Sequence, residues 1–228
     1  MTITTPIEMQ KIKSRSANSL LCAIVFICSL LYVPTTLAQT AFKEGDIIFE
    51  KIPCGNLCDA IIETTPCKPG LAFNHCGIVH KEGKDVYVIE AIGKAVKQSP
   101  IATFLKRDTS SLIYIGRLKP QYAKAIKPAV KKAQDYIGTP YDDTFLPGDS
   151  ALYCSELVWD SYKQNGTPIF TTQPMTFKSP KTNATYPAWT EYYQSLHQPI
   201  PEGVEGINPC LIANSDKVEL IVVRRDSK

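Results

Sequence analysis

A cysteine at the start of a helix, in a chain with only three histidines to serve as its base, is the chemistry this sequence offers. Cys154 lies in Tyr153-Cys154-Ser155-Glu156-Leu157-Val158, directly after the turn-rich Leu146-Pro147-Gly148-Asp149-Ser150. A helical pattern follows at Leu157, Val158, Ser161 and Tyr162. The thiol therefore belongs at or near a first helical turn. Unpaired N–H groups and the positive end of the helix dipole favour a thiolate there. A thiolate so placed is a nucleophile that needs a base. Taken alone, a cysteine is more often a small buried hydrophobe, so its role rests on what the fold brings to it.

The base depends on a hairpin. Ala72 to His80 and Asp85 to Ala91 are β-rich runs, and Lys81-Glu82-Gly83-Lys84 lies between them as a Gly-containing connection. With that loop, His80 faces Asp85, Val79 faces Val86, Gly77 faces Val88 and His75 faces Glu90. The period-2 rule puts His75, Gly77, Val79, Val86, Val88 and Glu90 on one face. A carboxylate on an apolar face is costly unless paired. A ring N–H of His75 would supply the partner, and Glu90 would orient the ring and stabilise the imidazolium, as the third member of a triad does. A slip of two residues would leave the pair diagonal; a slip of one would separate the faces. His80 falls on the opposite face beside a turn, and His197 in a polar, Pro-flanked stretch, so both are weaker candidates.

Further strands are expected at Gly45–Phe49, Ser111–Leu118 and Lys217–Arg225. One helix carries Ile126, Ala129, Val130, Ala133 and Ile137 on one face, with a kink or fresh start at Pro128 and a stop at Gly138. The helix that begins near Cys154 is expected to end at Asn165-Gly166. Thr167 to Pro187 reads as a long surface excursion that lines or covers a cleft, or else as an irregular stabilising wrap.

Residues 1–38 read as a secretory leader. Lys11, Lys13 and Arg15 precede the apolar run Leu20–Val33, and Thr36-Leu37-Ala38 is a small-residue cleavage pattern. The apolar run is short for a membrane span; an uncleaved N-terminal anchor is the alternative. The leader carries those three basic residues and one acidic residue, Glu8, so the formal charge of +3 falls to +1 without it. That balance gives no reason to expect nucleic acid as a partner. Six of the eight cysteines remain: Cys54, Cys58, Cys67, Cys76, Cys154 and Cys210. Export points to disulfides among them, with a local bridge in the Pro/Gly-rich loop 54–67. If Cys154 is free, at least one other is too. A zinc site from Cys54, Cys58, Cys67 and Cys76 or His75 is the rival, but the spacing departs from paired two-residue knuckles.

The chain resembles the YiiX-like, circularly permuted branch of the NlpC-type papain-like cysteine hydrolases. Gly45-Asp46-Ile47-Ile48-Phe49 is similar to that family's first strand, Asn74-His75-Cys76-Gly77-Ile78-Val79 to its histidine strand and Val88-Ile89-Glu90-Ala91 to its acidic strand. Tyr136-Ile137-Gly138-Thr139-Pro140-Tyr141-Asp142 and Tyr153-Cys154-Ser155-Glu156-Leu157-Val158-Trp159 are similar to its helix-end and nucleophile motifs. Ile207-Asn208-Pro209 falls where the family has a Ser-Pro pair. The resemblance implies an α+β, permuted papain-like domain over residues 39–228, an antiparallel sheet or open barrel packed against helices. It implies Cys154 as nucleophile, His75 as general base and Glu90 as its orienting partner. Tyr141, 13 residues before Cys154, would contact substrate or assist the oxyanion. The cysteine-rich segment 54–67 and Cys76 beside the base depart from the family pattern.

The expected reaction is acyl transfer to water through a thioester on Cys154, with no cofactor, in the periplasm or outside the cell. Cell-wall peptides, other peptides, acylated amines and lipid amides or esters are the candidate substrates. A non-catalytic cleft-binding module of the same fold, or a disulfide-stabilised structural protein, is the alternative.

Overall fold

A computed structural model of the chain describes residues 42–225 apart from positions 66 and 149; the leader expected over residues 1–38 lies outside these described residues. In chain order the elements are β1 (Ile47–Glu50), α1 (Asn56–Thr64), β2 (His75–Glu82), β3 (Asp85–Ile92), β4 (Ala95–Pro100), α2 (Ile101–Leu105) and β5 (Leu112–Leu118). A 3-10 turn, Pro120–Ala125, then leads into α3 (Ile126–Asp135), followed by α4 (Cys154–Ser161), β6 (Lys163–Gln164), β7 (Thr167–Pro168) and β8 (Gln173–Pro174). The chain ends with α5 (Pro187–Ser195), β9 (Glu205–Gly206), α6 (Pro209–Asn214) and β10 (Val218–Arg224). The main sheet has six strands in the order β10-β5-β1-β2-β3-β4, and every neighbour pair in it runs antiparallel. The class is α+β, as expected.

Alternation along the strands produces two apolar faces. Ile47, Phe49, Cys76, Ile78, Ile89 and Ala91 pack against Ala129, Val130 and Ala133 of α3 and Leu157 and Val158 of α4. Ile48, Val79, Val86, Val88, Ile113 and Ile115 pack with Phe42 and with Ile101 and Phe104 of α2. A third cluster joins Ala60, Leu57 and Ile61 of α1 to Phe177 and to Trp189 and Tyr193 of α5. The disulfide Cys67–Cys210 ties the segment after α1 to α6 across a separation of 143 residues, and Cys54–Cys58 closes the start of α1. A loop of that length is worth on the order of 5 kcal/mol in the chain-entropy account.

Several elements differ from the expectations. The β2–β3 hairpin is two residues longer in pairing than expected: Glu82 faces Asp85 and Ile78 faces Ile89, which leaves Gly83-Lys84 as the loop. Gly83 has φ of 60°, which a two-residue hairpin loop needs. The slip is even, so the faces survive and His75 lies diagonal to Glu90, with Gly77 at the position across from Glu90. Segment 54–67 is not an irregular loop throughout: α1 occupies nine residues of it. Gly55 precedes the helix, and Leu57, Ala60 and Ile61 provide its buried side. α4 stops at Ser161, and Asn165-Gly166 is instead the turn between β6 and β7, with φ of 53° and 81°. Positive φ at both positions is the two-residue hairpin preference of Asn-Gly. Pro128 is tolerated in the first turn of α3, the fresh start that its missing N–H permits. Strand β4 had no signal because it lies at the sheet edge and carries Lys97 and Gln98.

Gly77 is the residue that makes room for the diagonal pair. A Cβ there would lie 2.5 Å from Val88 Cγ1, 2.9 Å from the Ile89 carbonyl oxygen and 3.1 Å from Glu90 Cβ. Alanine in place of a strand glycine gains about 0.5–1 kcal/mol of backbone entropy, whereas overpacking costs about 1–3 kcal/mol. Overpacking wins, because two of the three clashing neighbours are backbone or Cβ atoms. Gly77→Ala is expected to lower unfolding stability by about 1–2 kcal/mol net in urea denaturation; an unchanged midpoint would show that the hairpin yields at this point.

Candidate functional site

Three adjacent strands each bring an ionisable side chain to one end and one face of the sheet. Glu50 ends β1 and pairs directly with His75, which begins β2; Glu90 is on β3. All three are buried, at 1%, 4% and 0% exposure. His75 Nε2 is 2.6 Å from Glu90 Oε2. Arg107, just beyond α2, grips the same carboxylate with two donors, Nη1 to Oε1 at 3.0 Å and Nη2 to Oε2 at 2.7 Å. Its Nη2 is also 2.8 Å from Glu50 Oε1, and its guanidinium lies over the Phe104 ring at 4.7 Å. Burial alone would raise the Glu90 carboxyl, but His75, Arg107 and Ser99 overcome it and hold the pKa down at about 2. Glu50 goes the other way. Burial raises it to about 7, with His75 and Arg107 pulling down and Glu90 pushing up.

Cys154 is the first residue of α4, preceded by the extended Tyr153. The loop before it is pinned to the first turn by the Gly148 N–H, which donates to Glu156 Oε1 at 3.0 Å. The Cys154 sulfur meets β2 at two residues. The Cys76 thiol and backbone and the His75 ring all lie close enough to act on its ionisation. The Cys76 thiol is the largest influence lowering the Cys154 pKa; burial opposes it, and His75 adds to it, so the thiol sits well below its ordinary value. Burial pulls His75 down, but Cys154 and Glu90 outweigh it and raise the imidazole to about 10. Nε2 is committed to Glu90, so Nδ1 is the nitrogen left for Cys154. Both shifts favour a thiolate–imidazolium pair, an arrangement able to attack an electrophilic carbon and then deliver a proton to a leaving group.

The structure thus brings Cys154, His75 and Glu90 together. Tyr141 joins them from the segment between α3 and α4, where Tyr141 bridges to Leu152 and its N–H donates to the Lys94 carbonyl at 3.0 Å. Burial, then the Cys154 charge, raises the Tyr141 hydroxyl well above its usual range, so it remains a neutral donor. A cavity of about 330 Å³ opens on Cys154 and Tyr141, walled by Phe145, Met175, Phe177 and Trp189. Residues 173–177 of the expected excursion line it, so that segment forms part of the cleft. His80 bonds Glu44 at 2.9 Å and Gln134 at 3.0 Å, and His197 is exposed; neither is placed at Cys154.

Arg107 and Glu50 were not legible in the sequence. Lys106-Arg107-Asp108 reads as a polar surface turn, and Glu50 as the end of a short strand. The one available signal was electrostatic: a buried Glu90 requires a cation, and His75 is one only when protonated. The zinc alternative fails on its ligands, since Cys54, Cys58 and Cys67 are consumed in disulfides. A different donor set exists. Glu50, His75 and Glu90 present ligand atoms within 4.8 Å of one another. The Arg107 guanidinium, however, stands between the two carboxylates, and both Glu90 oxygens are already engaged. A divalent cation would have to displace Arg107, so these residues do not fit a resident metal.

The chain is similar to known proteins. The family model of the permuted papain-like amidases, the YaeF/YiiX or C92 family, matches residues 41–222. The uncharacterized protein YiiX of Escherichia coli K12 is 28% identical over 141 residues, which is 61% of this chain and 66% of that protein. The crystal structure of the metalloprotein YiiX from Escherichia coli O157:H7 superposes with a TM-score of 0.66 at 23% identity, over 80% of this chain and 97% of the other.

Two measurements test the electrostatics. Cys154 is expected to alkylate with iodoacetamide at pH ~6 faster than any other free thiol, well below the ~8.5 of an ordinary cysteine, and His75→Ala is expected to remove most of that advantage. Peptide mass spectrometry across pH reads both; an ordinary pH profile for Cys154 would make the pair structural. Glu50 gives a stability signature. Its pKa is raised from 4.5 to about 7 on folding, so the folded state binds the extra proton, and stability is full below pH 4.5 and declines as pH rises towards 7. Glu50→Gln is expected to flatten that segment of the stability–pH curve in urea titrations.

Proposed function

The chain belongs to the permuted papain-like amidase family, and from that premise we propose that it is an exported cysteine hydrolase that cleaves amides or esters of apolar acyl groups through a thioester on Cys154. One observation carries this reading. Cys154 sits at a helix N-terminus against His75 and opens on a cavity whose lining, among the described residues, contains no Lys, Arg, Asp, Glu or His. Cell-wall peptides carry carboxylates and free amines, which this lining would leave without counter-charges. An alkyl or aromatic acyl chain suits Phe145, Met175, Phe177 and Trp189.

The steps follow from the geometry. The Cys154 thiolate attacks the acyl carbonyl. The Cys154 backbone N–H, free at the helix start, and the Tyr141 hydroxyl supply donors to the developing oxyanion. His75 passes its proton from Nδ1 to the departing amine or alkoxide, and the thioester forms. Neutral His75 then takes a proton from water, hydroxide attacks the thioester, and the collapsing adduct releases the acid and restores the thiolate–imidazolium pair. Glu90, clamped by Arg107, holds the ring in line throughout and offsets its charge. The leader pattern at residues 1–38 and the two disulfides support a periplasmic or secreted setting. A metal-dependent reading, raised by the description of the structural relative as a metalloprotein, is disfavoured here by Arg107.

The test is hydrolysis of p-nitrophenyl esters and acyl anilides of increasing chain length. Each methylene buried in the cavity is worth ~0.8 kcal/mol, so kcat/KM is expected to rise roughly 3–4-fold per carbon until the cavity is filled. Cys154→Ala should abolish turnover. Glu90→Gln should lower it by less, within the ~10²–10⁴ that positioned acid–base catalysis contributes. Preference for charged muropeptides over long acyl donors would overturn the substrate class. Activity lost to a chelator and restored by a divalent cation would replace the thiol mechanism, and hydrolysis of none of these compounds would leave a binding module.

A further inference from the structure

Cys76 and Cys154 are the two free cysteines among the described residues; the other four are joined in disulfides. They belong to neighbouring elements of one core, β2 and α4, and both lie in the same buried cluster. α4 packs directly on β2, and each of the two thiols is a leading influence on the other's ionisation. Cys76 has no exposed surface and does not line the cavity, whereas Cys154 does. A small oxidant that enters the cavity therefore reaches Cys154 first, and the second thiol waits behind it.

We propose that Cys76 is a resolving cysteine: a hydroperoxide oxidises Cys154, Cys76 closes a Cys76–Cys154 disulfide, and the hydrolase is held inactive until a dithiol reopens it. The proposal rests on Cys154 being the hydrolytic nucleophile; the disulfide chemistry itself does not. In the first step the Cys154 thiolate attacks one peroxide oxygen, the O–O bond breaks, and a sulfenic acid and hydroxide (or alkoxide) form. In the second the Cys76 sulfur attacks the Cys154 sulfur, the S–O bond breaks, and the hydroxide that leaves takes up the Cys76 proton as water. Cys154 is oxidised by two electrons and the peroxide is reduced by two.

The chemical asymmetry of the pair suits these roles. Cys154 is the more acidic of the two, and the thiolate is the form that attacks peroxide. Cys76 is pushed towards the thiol form, first by burial and then by the hydrogen bonding and charge of Cys154. A neutral sulfenic acid removes that charge and frees Cys76 to attack. Without Cys76, the sulfenic acid would have only further peroxide to react with, and sulfinic and sulfonic acids are not reversed by thiols.

The experiment uses the full folded chain with its two native disulfides intact. Hydrogen peroxide is added in small molar excess, remaining thiols are alkylated, and peptides are mapped without reduction. In the unsubstituted protein we expect a linked Cys76–Cys154 peptide, lost esterase activity, and recovery of most of that activity with dithiothreitol. In Cys76→Ser we expect Cys154 as sulfinic or sulfonic acid, with recovery at least tenfold poorer. Cys76→Ala serves if the serine variant does not fold. Sulfinic Cys154 beside an alkylatable Cys76 in the unsubstituted protein would overturn the proposal, as would equal recovery in both proteins. The linkage is read by mass, so a chain that forms it but hydrolyses no acyl donor keeps the thiol pair and discards the hydrolase reading. A chain that hydrolyses acyl donors but forms no linkage does the reverse.

Discussion

Glu90 is a carboxylate with no solvent exposure, and its charge must be neutralised for this fold to close. An ionised carboxylate moved into such a place costs several kcal/mol even after relaxation. Arg107 and His75 answer that cost from two sides, the first with a bidentate grip and the second with a single short bond. Arg107 is the permanent cation, so Glu90 stays ionised whether or not His75 carries a proton. The imidazole is therefore free to change charge without leaving a buried anion unpaired. Glu50 completes the group as a carboxyl poised near neutrality, able to be charged or neutral as its neighbours require. Removal of Arg107 alone would leave two buried carboxyls facing one imidazole.

The same constraint explains what could be read in advance. His75 and Glu90 were legible because they interrupt an alternating apolar face at matching positions, and an even register slip does not disturb which residues share a face. Cys154 was legible through the turn before it and the apolar spacing after it. Arg107 was not, because it enters from a short polar segment whose position depends on α2 packing Ile101 and Phe104 onto the sheet. Glu50 was not, because only the β1–β2 pairing reveals that it faces His75. Asn165-Gly166 shows a local signal read with the wrong geometry: the dipeptide ends a helix in many chains, and here it turns a hairpin. α5 escaped because Trp189, Tyr192 and Tyr193 sit among polar residues and bury themselves against α1 and Phe177, partners distant in sequence.

The division of labour between the two layers of the fold is clear in the cavity. The sheet and α4 supply the charges, and the α1–α5 layer with residues 173–177 supplies the walls. Rings dominate those walls: Phe145 contacts Tyr153, Trp189 and Tyr192, and Phe177 packs edge-on to Trp189 and Tyr193. Edge-to-face packing of this kind adds about 0.5–1.5 kcal/mol per pair beyond area burial. The Cys154 sulfur therefore lies between a buried charged cluster behind it and an uncharged, largely aromatic cavity in front.

The Cys67–Cys210 bridge has a consequence for survival among proteases. It turns the chain between those residues into a covalent ring, and His75, Glu90, Arg107, Tyr141 and Cys154 all lie within it. A single backbone cleavage inside the ring opens it into a line but releases no fragment. A nick in the exposed stretch Pro180–Ala184, for example, leaves the strand that bears His75 and the helix that bears Cys154 on one continuous polypeptide, with the severed C-terminal part still fastened through the bridge. Two cleavages, or one cleavage and a reductant, are needed before any part of the ring can leave.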